Sequence, residues 1–111
     1  MSDKATETVP GTSASEWEQR FHDLVDLWKR ERGPYSSSAQ LAQHPAYQQI
    51  IAMGPEVVPL LLRELERQPD HWFRALHALT GADPVPAENR GKVREMAAAW
   101  VRWGREQGYH W

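Results

Sequence analysis

Histidines, carboxylates, arginines and tryptophans are the side chains of this chain that could carry chemistry. The 111 residues include five histidines and no cysteine, which excludes disulfides and thiol chemistry. No two histidines stand four residues apart on one predicted helix, and His71 and His77, six apart, fall on different faces. Two metal ligands on one helix must share a face. The spacing therefore predicts no structural or catalytic metal.

The acidic side chains show no inward pair suited to acid–base catalysis. Four glutamates lie on the predicted solvent-facing sides of their helices: Glu64, Glu66, Glu95 and Glu106. The chain also lacks a glycine-rich phosphate loop and a Gly-x-Ser-x-Gly motif. We therefore predict that the protein is not an enzyme, has no catalytic residues and binds no cofactor.

Basic side chains in the last quarter of the chain are the candidates for contact with an anionic partner. Residues 87–111 carry five basic and three acidic groups, whereas residues 1–86 carry eight basic and twelve acidic groups. The candidate nucleic-acid surface is Lys92, Arg94, Arg102 and Arg105. Nearby Glu95 and Glu106 oppose an anion, and the formal net charge is −2. Nucleic-acid binding is therefore the second hypothesis.

Six tryptophans are many for a chain of this length, and each must be buried or presented to a partner. Tryptophans can form a platform for stacking bases. Five of these six lie instead on apolar helical stripes, which favours a role in the core. The predicted structural core is Trp17, Phe21, Trp28, Leu61, Leu65, Trp72, Leu76, Trp100 and Trp103.

The N-terminal segment predicts a tail followed by a helix. Residues 1–14 are rich in serine, threonine and acidic residues and contain Pro10-Gly11, so we predict a disordered tail. Ser15 and Glu18 form a capping box that predicts a helix start. Residues 15–111 are then a single helical domain, in which the first helix ends at Gly33-Pro34.

The middle of the chain is predicted to form two short antiparallel helices. Apolar residues at positions 57, 58, 61, 62 and 65 repeat with helical spacing, and Pro59 predicts a distorted first turn. Pro69 interrupts this helix, Asp70 is the predicted N-cap of the next, and Gly81 is its predicted end. A joint this short predicts a helical hairpin.

This hairpin resembles a HEAT repeat. The resemblance rests on Gly54-Pro55-Glu56-Val57-Val58-Pro59-Leu60-Leu61 at its start and Ala78-Leu79-Thr80-Gly81 at its end. Many bacterial HEAT-type chains place two tryptophans in a helix after such a Leu-Thr-Gly, as Trp100 and Trp103 are placed here. The match covers about a quarter of the chain and supplies one unit, whereas solenoids usually need about three. The resemblance implies an all-helical scaffold that binds macromolecules through a helix face, and it implies no chemistry.

Together these patterns predict an all-α fold of about five helices, with the HEAT-like hairpin packed between an N-terminal helix and a C-terminal tryptophan-bearing helix. We predict a non-enzymatic protein–protein interaction module or regulatory adaptor, of which an antitoxin-like neutraliser of a partner enzyme would be one version. The alternative is a nucleic-acid-binding accessory protein that uses the basic face of the last helix. The chain shows no secretory signal and no apolar run as long as a membrane span, so we expect a cytoplasmic protein whose partner is another protein.

Overall fold

The computed structural model describes residues 2–32 and 37–111, and within them every regular element is a helix. Side chains are described for residues 16–32, 37 and 39–111. The α-helices are α1 Ser2–Glu31, α2 Ser38–Gln43, α3 Pro45–Ala52, α4 Val58–Arg67, α5 Phe73–Thr80 and α6 Val93–Glu106. Two 3₁₀ turns, Pro55–Val57 and Ala87–Asn89, precede α4 and α6. The prediction of an all-α fold is confirmed.

Helix α1 begins earlier than the capping pattern predicts. The structure continues the helix back to Ser2, so the predicted start at Ser15 is wrong. Once a helix is formed, each added residue fixes few dihedral angles for one new hydrogen bond, and continuation is easier than initiation. Pro10 opposes this, because a proline inside a helix removes one backbone hydrogen bond. That residues 1–14 are a tail separable from the domain stays a prediction.

Local signals at other helix ends act as the sequence indicates. Ser37 caps α2, and its side chain accepts the backbone N–H of Gln40. The distortion expected near Pro59 takes the form of the 3₁₀ turn before α4. Gly81 ends α5 in the left-handed conformation, with φ of 73°. Helix α6 starts only at Val93, because Gly91 has a φ of 87° that a right-handed helix does not accommodate.

An aromatic trio, Trp28, Tyr47 and Trp72, joins α1, α3 and the start of α5. All three side chains are buried, and the Trp72 ring centroid lies 4.4 Å from Trp28 and 5.4 Å from Tyr47. The Tyr47 hydroxyl donates to the His71 carbonyl and accepts the N–H of Ala75, each at 3.0 Å. Burial raises the pKa of Tyr47, so the hydroxyl keeps the proton that it donates. Tyr47 therefore satisfies an N–H in the first turn of α5, which has no side-chain cap of its own.

Asp70 does not have the predicted N-cap role. Helix α5 begins at Phe73, and the Asp70 carboxylate instead forms a partly buried ion pair with Arg32, at 2.6 Å. The Arg32 guanidinium also lies 4.5 Å from the centroid of the Trp28 ring. The end of α1 therefore holds the joint between α4 and α5, a role that no local pattern indicates.

Helix α4 is covered on more sides than its sequence pattern suggests. Glu64, predicted to face solvent, is 1% exposed. Its carboxylate lies 2.7 Å from the Arg67 guanidinium and 4.0 Å from His22 of α1. The prediction for Glu64 is wrong because His22 of α1 lies against this face of α4, while α6 packs on another.

The residues predicted to form the core are either buried or partly buried. Seven are buried: Phe21, Trp28, Leu61, Leu65, Trp72, Leu76 and Trp100. Trp17 and Trp103 are partly buried and pack against the same cluster. Both tryptophans therefore keep some surface in solvent.

Removal of residues 1–14 should change the melting temperature by less than about 4 °C. Apart from Met1 and alanine, this segment has one aliphatic residue, Val9, and so little apolar surface to bury. Circular dichroism melts of the full and shortened chains measure the difference. A drop of ten degrees or more would show that the segment is packed and that the boundary at Ser15 is misplaced.

Candidate functional site

Helices α4 and α6 pack against each other and leave a groove along one side, which we name the α4–α6 groove. Its volume is about 690 Å³. Apolar residues form its floor: Leu65, Pro69, Ala97, Ala98 and Val101. Charged residues form its rim: Glu66, Arg94, Arg102, Arg105 and Glu106. The groove thus combines an apolar floor with a rim of both signs of charge.

The close approach of α6 to α4 at Gly104 fixes the shape of this groove. Gly104 is buried, and a Cβ placed there would lie 2.5 Å from Cδ1 of Leu62 and 3.3 Å from the Trp111 ring. Ala97, on the same face two turns earlier, is also small and buried. Small residues on α6 therefore set the separation of the two helices, since larger ones would overfill the contact.

Trp111 folds back onto this helix pair and borders the groove at the Arg105 end. Its Nε1 donates to Glu66 Oε1 at 2.8 Å, and the Arg105 guanidinium lies 4.9 Å from the Trp111 ring centroid. Arg105 also pairs with the other carboxylate oxygen of Glu66. The Trp111 indole and the Arg105 guanidinium lower the pKa of Glu66. This contact therefore persists at neutral pH and is lost as the pH falls through that lowered pKa.

The structure brings together three of the four residues in the predicted basic surface. Arg94, Arg102 and Arg105 line the groove, whereas Lys92 lies outside it, at the N-cap of α6. Arg105 is engaged by Glu66 and Trp111. Arg94 and Arg102 form no ion pair with any residue in the described part of the chain. Two arginines therefore remain available to a partner.

The sequence does not indicate that α4 and the joint between α4 and α5 contribute residues to this site. Glu66 and Pro69 line the groove from the opposite side to the arginines. Glu66 had been predicted only as a solvent-facing residue of α4. No local pattern pairs it with residues 39 and 45 positions later, Arg105 and Trp111. Only the packing of α6 on α4 does so.

A second depression lies where α5, the connection that follows it and α6 meet. Its volume is about 560 Å³, and its lining includes Phe73, Met96 and Trp100. His71 and His77, predicted to lie on different faces, both line it. Within the described residues, however, no three histidine, aspartate or glutamate side chains are grouped to hold a metal ion. The depression thus has an aromatic base but no metal-binding geometry.

Comparison with protein-family models finds no match, and searches of curated proteins and of solved structures find none either. The HEAT resemblance therefore stays a prediction. None of the helices in the described part of the chain has the length and apolar character needed to cross a membrane.

Gly104→Ala should destabilise the fold by about 1–2 kcal/mol, because the added methyl group must displace the buried Leu62 side chain. Helix propensity alone would favour the alanine by up to about 1 kcal/mol. Ala98→Gly, at an exposed position of the same helix, measures that propensity term as a control. Urea denaturation gives both values. If Gly104→Ala stabilises the protein by as much as Ala98→Gly destabilises it, the close contact does not exist.

Proposed function

We propose that the protein is a non-enzymatic interaction module that binds another protein through the α4–α6 groove. The observation that carries this proposal is the composition of the groove, in which an apolar floor is surrounded by a charged rim. Interfaces between proteins have this anatomy, with apolar groups at the centre and polar groups at the edge. Arginine is also enriched at such interfaces.

The charge balance of the groove favours a protein partner over a nucleic acid. Three arginines face two glutamates, and Arg105 is already paired with Glu66. Glu106 stands on the same rim as the two arginines that remain. Affinity for nucleic acid grows with the number of phosphates that basic groups neutralise, and two free arginines next to a carboxylate supply few. A protein surface, by contrast, can meet both signs of charge at once.

We further propose that the scaffold behind the groove is HEAT-like, with α4 and α5 as the two helices of the unit. Contact between α4 and α5 and the short joint between them support this. A HEAT-type unit offers a helix face to its partner, and α4 lies on one side of the groove through Leu65 and Glu66. A regulatory adaptor, including an antitoxin-like version, would act by covering part of the partner's surface.

Nucleic-acid binding is the second candidate, because Arg94, Arg102 and Arg105 do share one face. If three arginines neutralised three phosphates, the affinity for duplex DNA would fall with a slope of roughly −2.7 in log K against log salt. Binding with no such salt dependence, or none at all, would remove this candidate.

Site-specific cross-linking tests the proposal, because the chain has no cysteine of its own. A photo-reactive group on Ala98→Cys, in the groove floor, should capture a specific protein in cells that make this chain. The same group on Ala78→Cys, exposed on α5, is the matched control and should not capture it. Mass spectrometry identifies the captured protein, with and without nuclease treatment. Equal capture at both positions, or capture of nucleic acid alone, would contradict the proposal.

A further inference from the structure

The two unengaged arginines of the groove stand about two helical turns apart on α6. Arg94 and Arg102 are eight residues apart on α6, which corresponds to about 12 Å along the helix axis. Two acidic side chains separated by two helical turns on a neighbouring helix stand about 11 Å apart. A helix laid along the groove could therefore place one carboxylate near each arginine.

The floor between these arginines suits a helix more than an extended strand. Ala98 lies between the arginines and is exposed, and its small side chain allows another backbone to come close. An added strand needs a free sheet edge with which to pair, and the described residues form only helices, turns and connections. An amphipathic helix needs only an apolar groove with polar edges, and this groove has both.

The positive charges of Arg94 and Arg102 favour a partner with acidic side chains at this site. Arg105 is engaged by Glu66 and Trp111, but no described residue pairs with Arg94 or Arg102. A basic partner would bury these two arginines against like charge, whereas an acidic partner would neutralise both. Glu106 on the rim lowers the net charge without pairing with either arginine.

We infer that the occupant of the α4–α6 groove is an amphipathic helix of another protein, with an apolar face on the groove floor and two carboxylates, two turns apart, on Arg94 and Arg102. This inference rests on the proposed function and names the class of partner for that site. It also defines a sequence signature for the partner: acidic residues seven or eight positions apart that flank small or aliphatic residues.

Two designed helical peptides of roughly 18 residues test this inference. The acidic probe has a leucine and alanine face and two glutamates two turns apart, and the basic probe has lysines in their place. Fluorescence anisotropy with the full chain should show at least about tenfold tighter binding of the acidic probe. The double variant Arg94→Glu with Arg102→Glu should reverse this preference, because it replaces two positive charges with negative ones at exposed positions.

A matched control separates the local effect from total charge. Arg20→Glu with Arg30→Glu changes the net charge equally at exposed positions outside the groove, and it should keep the preference for the acidic probe. If the reversed variant loses its helical circular dichroism signal, Arg94→Gln with Arg102→Gln replaces it and should abolish the preference.

Three results would overturn the inference. They are equal affinity for both probes, a preference that the groove variants leave unchanged, and tighter binding of a duplex oligonucleotide than of the acidic probe. Failure of this inference differs from failure of the proposed function. If Ala98→Cys captures a protein but neither probe binds, the groove is an interface for another kind of surface. If Ala98→Cys captures nothing and no probe binds, both fail.

Discussion

The separation of α4 and α6, set at Gly104, is the constraint on which the candidate site depends. A side chain at this position would collide with Leu62, which is fully buried and has little room to move. Because Gly104 has no side chain, α6 settles against α4 and the Trp111 ring packs beside it. The same approach leaves Ala97 and Ala98 at the groove floor and turns Arg94 and Arg102 to its rim. The packing of α6 on α4 and the proposed binding surface therefore depend on the same helix contact.

Contacts that involve α1, α3 and the start of α5 help to position α4. The aromatic trio anchors α1, α3 and the start of α5 together, and the Tyr47 hydroxyl completes the first turn of α5. The Arg32–Asp70 pair then ties the end of α1 to the joint between α4 and α5. His22 of α1 lies against Glu64 on one side of α4, and α6 packs along another side. Contacts on two sides favour one position of α4, and a site that is organised before binding has a lower entropic cost of binding.

The sequence predicts those features of the fold that neighbouring residues determine. It does not predict the side-chain positions that contacts between distant helices determine. Gly81 ends α5 as predicted, and this signal depends on residues within one turn. Asp70 is a good cap by type, yet the guanidinium of Arg32, 38 residues away, takes its carboxylate. Glu64 looks solvent-facing on the α4 pattern because that pattern does not contain α1. The three groove arginines could be grouped from α6 alone, but their apolar and acidic neighbours on α4 could not.

We propose that a partner protein occupies the α4–α6 groove. Ala98→Trp tests it most directly, because this exposed floor position can accept a large side chain that fills the groove without entering the core. The measurement is the Kd, by titration calorimetry, between the protein captured through Ala98→Cys and the wild-type chain, the Ala98→Trp variant and an Ala78→Trp control. We expect at least about a tenfold loss of affinity for Ala98→Trp, about 1.4 kcal/mol or more, with an unchanged melting temperature and an unaffected control. Equal affinity for all three chains would contradict it.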